Sequence, residues 1–314
     1  MTKPAIAQQL AANLATAYDY QLLDANYQPV TEPKLVASLA QSDVVLIGEY
    51  HGNHASHLLQ MRLLAALHIY SQQQNRPLVL SMEMFTREQQ TIVDDYLAGK
   101  VGEHYLINKA PAWKNYSASY RPLVEYAKQH GLPIIAANAP ADVVRCIGAQ
   151  GETYVDKLPL NQRRLLAEAP FMAVPNYADK FYALMVGSGH TVSERAKQSY
   201  AAQLARDNTM AEAILTARRA YPNALVVHIN GSFHSAERLG TAGALLQRAP
   251  ALKVRVVTPL YPDAVAEQQA KAPQQDEMYY LLKPLPPEYV DEAYKQSVFT
   301  EMFKTAKEKA KACL

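Results

Sequence analysis

The 314-residue sequence has little of several features that would mark particular classes of protein. Its two cysteines, Cys146 and Cys313, are too few for a disulfide framework and are not spaced like metal ligands. No apolar run is long enough to span a membrane. The 31 basic and 29 acidic residues nearly cancel, so we expect no nucleic-acid-binding surface. The hydrophobic fraction of 49% is typical of a globular protein with a buried core.

Several catalytic and targeting motifs are missing as well. The chain has no HExxH zinc motif, no GxxxxGK phosphate loop and no GxGxxG dinucleotide fingerprint. The segment NGSFH, which begins at Asn230, lacks the second glycine of a nucleophile elbow, so it gives little support to serine-hydrolase chemistry. The first residues, MTKPAIAQQLAANLA, show neither a signal-peptide pattern nor a lipobox cysteine.

Short apolar runs predict the strands of a buried, mainly parallel sheet. These runs are VVLIG (44–48), PLVLSM (77–82), LPIIAAN (132–138), ALVVHIN (224–230) and LKVRVV (252–257). Helical patterns lie between them, including 53–70 and 86–97, where TREQQ resembles a helix cap. We therefore predict an α/β fold over residues 1–314, a single domain with a mainly parallel sheet flanked by helices.

Residues 139–222 interrupt this alternation, because helical patterns follow one another there without a convincing strand. ALVVHIN then resumes the strand pattern, so we interpret 139–222 as a helical cap inserted into the α/β domain. The first forty residues predict a helix, a hairpin through LLDANYQPV and a second helix. Residues 285–314 predict a C-terminal helical tail.

Ionisable side chains follow the predicted strands at their carboxyl ends. Glu49 and His51 follow the first strand, and Glu83 follows the second. Asn138 ends the third strand, and His234 follows the fourth. Because ligands of open α/β sheets bind at the carboxyl ends of the strands, we expect the two Glu and two His to converge in one polar pocket. Such a set can hold a divalent metal, or can act as general acid and base.

Each of these residues taken singly has an ordinary structural explanation. A lone histidine after a strand is usually a hydrogen-bonded residue of the core. His54 and His57, on the helix that follows the first strand, are assigned to solvated or capping roles, and Arg62 to a carboxylate partner or an exposed position. The four strand-end residues together favour a site, because unrelated loops would not collect carboxylates and imidazoles at one edge.

Further segments of the chain form a recognisable set: IGEYHGNHASH, SMEMF, WKNYSASYRPLVEYAKQHGLPIIAANAP, QLARDNTMAEAI and HINGSFHS. Together they resemble the ChaN-like haem-binding lipoproteins, which share a superfamily with TIKI and erythromycin-esterase-like proteins. The resemblance runs from about Val44 to about His234 in the expected order. It implies an α/β core with a helical subdomain, and iron-regulated haem handling at the outer membrane of a Gram-negative bacterium, where a haem receptor is a possible partner. The catalytic residues of the hydrolase relatives would correspond to Glu49, His51, Glu83 and His234.

The resemblance also implies how haem is held. It places the haem between two subunits of a homodimer, with the iron bound by a tyrosine and polar support from a histidine of the partner. A phenolate suits ferric haem iron, and the macrocycle needs apolar walls. The segment 171–190, FMAVPNYADKFYALMVGSGH, supplies both, so we name Tyr177 and Tyr182 as ligand candidates and His190 as the partner-side support. The alternative is that this helix packs the cap and its phenol oxygens reach water.

Two functions of different class follow from these observations. The first, which we favour over an enzyme, is haem binding and transport, with haem as the cofactor. The alternative is a metal-dependent or Glu/His-based hydrolase of an ester or amide, which would need a divalent metal or a Glu–His base with an open position for water. A purely structural protein would not need an ionisable edge of this kind.

Overall fold

The computed structural model of the chain describes residues 14–111, 113–186, 191–270 and 274–313. Within these ranges the strands are β1 (Tyr20–Leu23), β2 (Val44–Glu49), β3 (Leu78–Thr86), β4 (Ile134–Asn138), β5 (Leu225–Gly231), β6 (Val254–Leu260) and β7 (Glu277–Leu282). The helices of the first half are α1 (Glu32–Leu39), α2 (His54–Gln73), α3 (Gln90–Leu97), α4 (Glu103–Lys109), α5 (Tyr116–Ser119) and α6 (Arg121–Gln129). Those of the second half are α7 (Ala141–Gln150), α8 (Leu160–Arg163), α9 (Tyr177–Val186), α10 (Glu194–Ala220), α11 (Gly240–Arg248), α12 (Val265–Gln269) and α13 (Glu292–Ala310).

The described strands form one sheet in the order β1-β7-β6-β2-β5-β3-β4. All neighbouring strands run parallel except β1, which pairs antiparallel with β7. Every residue of β2 and β5 is buried, as expected for parallel strands covered by helices on both faces. The predicted α/β class with a mainly parallel sheet is confirmed, and the five predicted strands correspond to β2 to β6.

Two strands were not predicted. β1 has only four residues at one edge of the sheet, and β7 lies directly behind a polar segment. The predicted hairpin through residues 22–30 is present as a short antiparallel return, in which Leu23 bridges to Pro29 and the N–H groups of Asp24 and Val30 donate to the carbonyls of Gln28 and Leu22. The pairing of β1 with β7 was not predicted. The helix predicted for the first residues falls mostly outside the described part of the chain.

The helices that flank the site begin where the sequence places cap residues. Asn53 accepts a hydrogen bond from the Ser56 N–H through its side chain and starts α2. Thr86 and Gln89 form a reciprocal capping box at the short 3-10 turn that leads into α3, as TREQQ predicted. Both helices therefore start directly behind strand ends, and this keeps the carboxyl edge of the sheet open.

The described residues between β4 and β5 form helices and turns without a strand. The longest helix, α10, has 27 residues and packs against β4 and α7. Its apolar residues Leu204, Ala211 and Ile214 belong to the same core cluster as Val44 and Val226 of the sheet. This segment therefore supplies one of the two layers that cover the sheet, in addition to the helices at its carboxyl edge.

The C-terminal helix α13 is attached in an unusual way. All of its residues are described, and none of them is buried. Its end is held by a disulfide between Cys313 and Cys146 of α7, which lie 167 residues apart in the sequence. Two cysteines are too few for a disulfide framework, and this single bridge was not predicted because nothing in the local sequence indicates that Cys146 and Cys313 meet. Within the described ranges, no helix combines the length and the apolar character needed to cross a bilayer.

Candidate functional site

Neighbouring strands bring the four predicted strand-end residues together. Glu49 ends β2, Glu83 lies near the end of β3, and His234 lies in a 3-10 turn directly after β5. Because β5 lies between β2 and β3, these strand ends share one edge of the sheet. His51, two residues beyond Glu49, completes the group.

Glu49 and His51 form the first half of the group. Glu49 is almost completely buried, and its Oε1 accepts hydrogen bonds from His51 Nδ1 at 2.7 Å and from the Tyr120 hydroxyl at 2.5 Å. Its Oε2 accepts from Gln60 Nε2 at 2.7 Å. Burial disfavours the protonated form of His51, but the hydrogen bond and charge of Glu49 outweigh it and raise the pKa of His51. Half of the His51 side chain remains exposed, so this oriented imidazole is accessible from solvent.

Glu83, His234 and Asp207 form the second half. His234 Nδ1 lies 2.7 Å from Asp207 Oδ1, and its Nε2 lies 3.4 Å from Glu83 Oε1. Burial disfavours the protonated form of His234, but the charges and hydrogen bonds of Glu83 and Asp207 outweigh it and raise the pKa of His234 to about 10. Burial would raise the pKa of Glu83, yet His234 and the Gly231 N–H at 2.7 Å lower it to about 2. At neutral pH a buried imidazolium therefore lies between two carboxylates.

The close packing of the two halves depends on a glycine. A Cβ atom at Gly231 would lie 2.8 Å from Cε1 and Nε2 of His51 and 3.7 Å from Glu83 Oε2. The His51 ring therefore lies directly over the backbone of the last residue of β5. Only a residue without a side chain leaves this space, which explains why the strand ends in glycine.

Three further residues of this group do not follow strands, and sequence reasoning did not place them at the strand ends. Asp207 lies on α10, Tyr120 lies between α5 and α6, and Gln60 lies on α2. The only sequence signal for Asp207 was its position in QLARDNTMAEAI, one of the segments that carry the family resemblance. Its carboxylate also accepts hydrogen bonds from the Thr241 and Tyr177 hydroxyls, each at 2.8 Å.

The two histidines in the first turn of α2, His54 and His57, differ in their environments. His54 is exposed and stacks on Tyr18. His57 is buried, so the solvated role is wrong for it: its Nε2 accepts the Gly52 N–H, and its Nδ1 contacts Gln60 Oε1 at 3.1 Å. His57 thereby holds the glutamine that supports Glu49.

A cleft of about 710 Å³ opens beside these residues. Its walls come from the end of β3, the start of α3, the start of α7, the segment before α5, and α10. The lining residues are Glu83, Met84, Thr86, Glu88, Gln89, Pro111, Trp113, Asn138, Ala141, Asp142, Arg145 and Arg206. Trp113 also lies edge-on to His51, with 4.6 Å between ring centroids. Sequence reasoning identified neither Trp113 nor Arg206 as part of the site.

The predicted haem ligands Tyr177 and Tyr182 lie on α9. Tyr177 is fully buried, its hydroxyl donates to Asp207 Oδ2 at 2.8 Å, and Gln203 Nε2 donates to its oxygen at 2.9 Å. Burial and the charge of Asp207 raise the pKa of Tyr177 well above its usual value. Tyr182 is half-buried against Phe181 and Tyr200, and this burial raises its pKa as well.

The third predicted haem residue, His190, lies outside the described residues. Beyond Tyr182, helix α9 carries the exposed apolar side chains of Leu184 and Met185. Among the residues that the structure describes, no group of three or more His, Cys, Asp or Glu side chains is arranged to hold a metal ion.

The fold and the strand-end cleft define the chain first as an α/β protein with an ionisable pocket at the carboxyl edge of a parallel sheet. The sequence model for the family described as "Haem-binding uptake, Tiki superfamily, ChaN" matches residues 35–245. The chain belongs to this family, as the resemblance implied. No curated protein matches the chain.

Solved structures share the fold at low sequence identity. The structure titled "Cofacial heme binding to ChaN of Campylobacter jejuni" has a TM-score of 0.61 and 16% identity, and the match covers 85% of this chain and 98% of that one. An erythromycin esterase mutant in its open conformation has a TM-score of 0.43 and 13% identity, with 77% of each chain covered. A succinoglycan biosynthesis protein has a TM-score of 0.44 and 12% identity, with 82% of this chain and 76% of that one covered. The last two scores are too low to carry a functional argument.

Proposed function

We propose that this protein binds haem through helix α9 and takes part in haem or iron uptake at the bacterial cell envelope. Membership of a haem-binding uptake family supports the haem, and the Campylobacter jejuni relative is described as binding heme cofacially. The observation that carries the assignment to α9 is a half-buried phenol, Tyr182, directly beside exposed apolar surface. An outer-membrane haem receptor is the partner that such a role requires.

Tyr182 is the iron ligand that we propose. A phenolate is an anionic oxygen donor with precedent as a haem ligand. Met185, three residues further along the same face of α9 and 52% exposed, offers an apolar wall for a macrocycle. Tyr177 would have to give up its hydrogen bonds to Asp207 and Gln203 and leave a fully buried position. Tyr177 is therefore assigned to positioning α9.

The proposal includes a haem-dependent homodimer. A flat ligand on an exposed helix leaves one face uncovered, and a second copy of the same surface would bury both that face and the apolar side chains of α9. His190 of the partner subunit is the polar support that we propose for this arrangement. We expect this dimer to form on haem binding.

Haemin titration of single variants tests the ligand. We expect Tyr182→Phe to remove the ferric phenolate charge-transfer band and to weaken binding, whereas Tyr177→Phe should retain the band. Tyr18→Phe, at an exposed tyrosine on another part of the surface, is the matched control. Sedimentation with and without haemin reports the dimer. A Tyr182→Phe protein with an unchanged spectrum and affinity would show that the ligand lies elsewhere.

The strand-end pocket supports a second candidate, hydrolysis of an ester or amide. His51 is an accessible imidazole oriented by Glu49, which suits a general base. Turnover of chromogenic esters and amides by wild type and by His51→Asn tests this candidate, with metal analysis of the same preparation to separate its metal-dependent form. Equal turnover by both proteins would remove His51 as the base.

A further inference from the structure

The strand-end cleft contains an arginine without a partner. Arg206 lies on α10 next to Asp207, is half-buried, and lines the cleft together with Glu83 and Trp113. Its guanidinium makes no hydrogen bond and no ion pair with any residue that the structure describes. Burial lowers the pKa of Arg206, and the charges of Glu83 and Asp207 act in the opposite direction without touching it.

The neighbouring carboxylates are hydrogen-bonded to donors other than Arg206. Glu49 accepts from His51, Tyr120 and Gln60. Glu83 is held by Gly231 and His234, and Asp207 by His234, Thr241 and Tyr177. The pocket therefore has a surplus of donors, because the five N–H groups of one guanidinium have no acceptor among the described side chains.

A partly buried guanidinium with free donors selects a particular ligand chemistry. Its planar fork matches two oxygens of a carboxylate or phosphate, and such charge-assisted pairs are stronger than neutral hydrogen bonds. A second cation, Arg145, lies at the exposed rim of the same cleft. Glu88 and Asp142 also lie at the rim, but both are exposed and their charges are screened by solvent.

We propose that the strand-end cleft binds the carboxylate or phosphate group of a small ligand, with Arg206 as the bidentate anchor, Arg145 as a second cation and Trp113 as a wall. This site is separate from the proposed haem ligand Tyr182 on α9, and it does not depend on haem being bound. It assigns a ligand class to a cleft that the haem-binding function leaves unused.

The single tryptophan of the chain makes the test direct. Because Trp113 lines the cleft, its fluorescence reports ligand binding there without a label. We titrate the haem-free protein with inorganic phosphate and, separately, with succinate, replacing chloride to keep the ionic strength constant. We expect a saturable change in Trp113 fluorescence with at least one of the two anions. The anion that binds with the higher affinity indicates whether the cleft prefers a phosphate or a carboxylate group.

Substitutions at two arginines of α10 distinguish anion binding at Arg206 from a general effect of removing a positive charge. Arg206→Met should weaken anion binding by about tenfold or more, the loss expected for hydrogen bonds to a charged group. Arg206→Lys keeps the positive charge but loses the planar pair of N–H donors. Its affinity for the anion should therefore lie between those of wild type and Arg206→Met. Arg219→Met is the control, since Arg219 is exposed on α10 and bonds only Thr216 on its own helix among the described residues.

The outcomes decide the proposal in either direction. Circular dichroism establishes that each variant is folded, and Arg206→Lys provides the comparison if Arg206→Met does not fold. A saturable signal that Arg206→Lys weakens and Arg219→Met retains supports the site. The proposal is overturned if wild type gives no saturable signal, or if the Arg206 variants bind both anions as tightly as wild type does.

Discussion

Removal of the Cys146–Cys313 disulfide tests how much the attachment of the C-terminal helix α13 contributes to the free energy of unfolding. Helix α13, described over its whole length, has no buried residue, and apart from the disulfide its end is held by a hydrogen bond from Gln150 Nε2 to the Cys313 carbonyl. The cross-link therefore joins a well-packed helix, α7, to one that contributes almost nothing to the core.

The structure allows two magnitudes to be worked out. If α13 stayed docked after reduction, the disulfide would constrain only the unfolded chain, and a loop of 167 residues corresponds to about 5 kcal/mol. If α13 detaches, reduction also frees the roughly 31 native residues after Leu282. The remaining effect is the difference in closure entropy between the long and the short loop, about 1.5 kcal/mol. Because α13 buries nothing, we expect the smaller value.

Urea unfolding of a Cys146→Ser/Cys313→Ser double variant gives the loss of unfolding free energy, followed by Trp113 fluorescence and circular dichroism. Limited proteolysis follows α13 separately, and cleavage after Lys304 or Lys307 should become faster while the core stays intact. Wild type with and without reductant is the control. A loss near 5 kcal/mol without faster cleavage would refute the reasoning, since α13 would then unfold together with the core.

Three further predictions concern the strand-end group. Folding lowers the pKa of Glu83 from 4.5 to about 2, so its contribution to stability is complete above pH 4.5 and is lost as the pH falls towards 2. In a plot of the urea unfolding midpoint against pH, Glu83→Gln should therefore reduce the decline at acid pH (the acid limb). Folding raises the pKa of His234 from 6.5 to about 10, so its contribution to stability is complete below pH 6.5 and is lost as the pH rises to about 10. His234→Gln should therefore reduce the decline of the urea midpoint at alkaline pH (the alkaline limb). Glu49→Gln should lower the pKa of His51, read as the pH midpoint of Trp113 fluorescence because the two rings are in contact.

A common control serves these three experiments. His54 is exposed and stacks on Tyr18, away from the strand-end carboxylates, so His54→Gln should leave both stability limbs and the fluorescence midpoint in place. If Glu83→Gln kept the full acid limb, the carboxylate would not be held by His234. An unchanged fluorescence midpoint in Glu49→Gln would mean that Glu49 does not determine the protonation of His51.

Strand positions could be predicted wherever burial leaves a continuous apolar run. β2 to β6 are almost entirely buried, so each contains a continuous apolar run that is visible in the sequence. β1 escaped detection because an edge strand of four residues carries too little pattern. Its antiparallel partner, β7, comes from the far end of the chain, and the pairing of such distant segments has no local signal.

The residues of the candidate site also differ in whether the local sequence reveals them. Glu49, His51, Glu83 and His234 were predictable because they follow strands, and parallel strands end on one side when their crossovers are right-handed. Asp207 and Arg206 lie on a long helix in which no periodicity distinguishes a site residue from a surface residue. Their roles depend on which side of α10 faces the strand ends.

The sequence by itself determined the α/β class, the family and the set of ionisable residues at the sheet edge, because apolar runs and strand-end positions are properties of short segments. Only the tertiary structure decided that His51 pairs with Glu49 while His234 lies between Glu83 and Asp207. It also decided that the two cysteines meet. The physical reason is that hydrogen bonds, charge states and a cross-link depend on distances of a few ångströms between residues far apart in the chain, and these distances exist only after the helices have packed on the sheet.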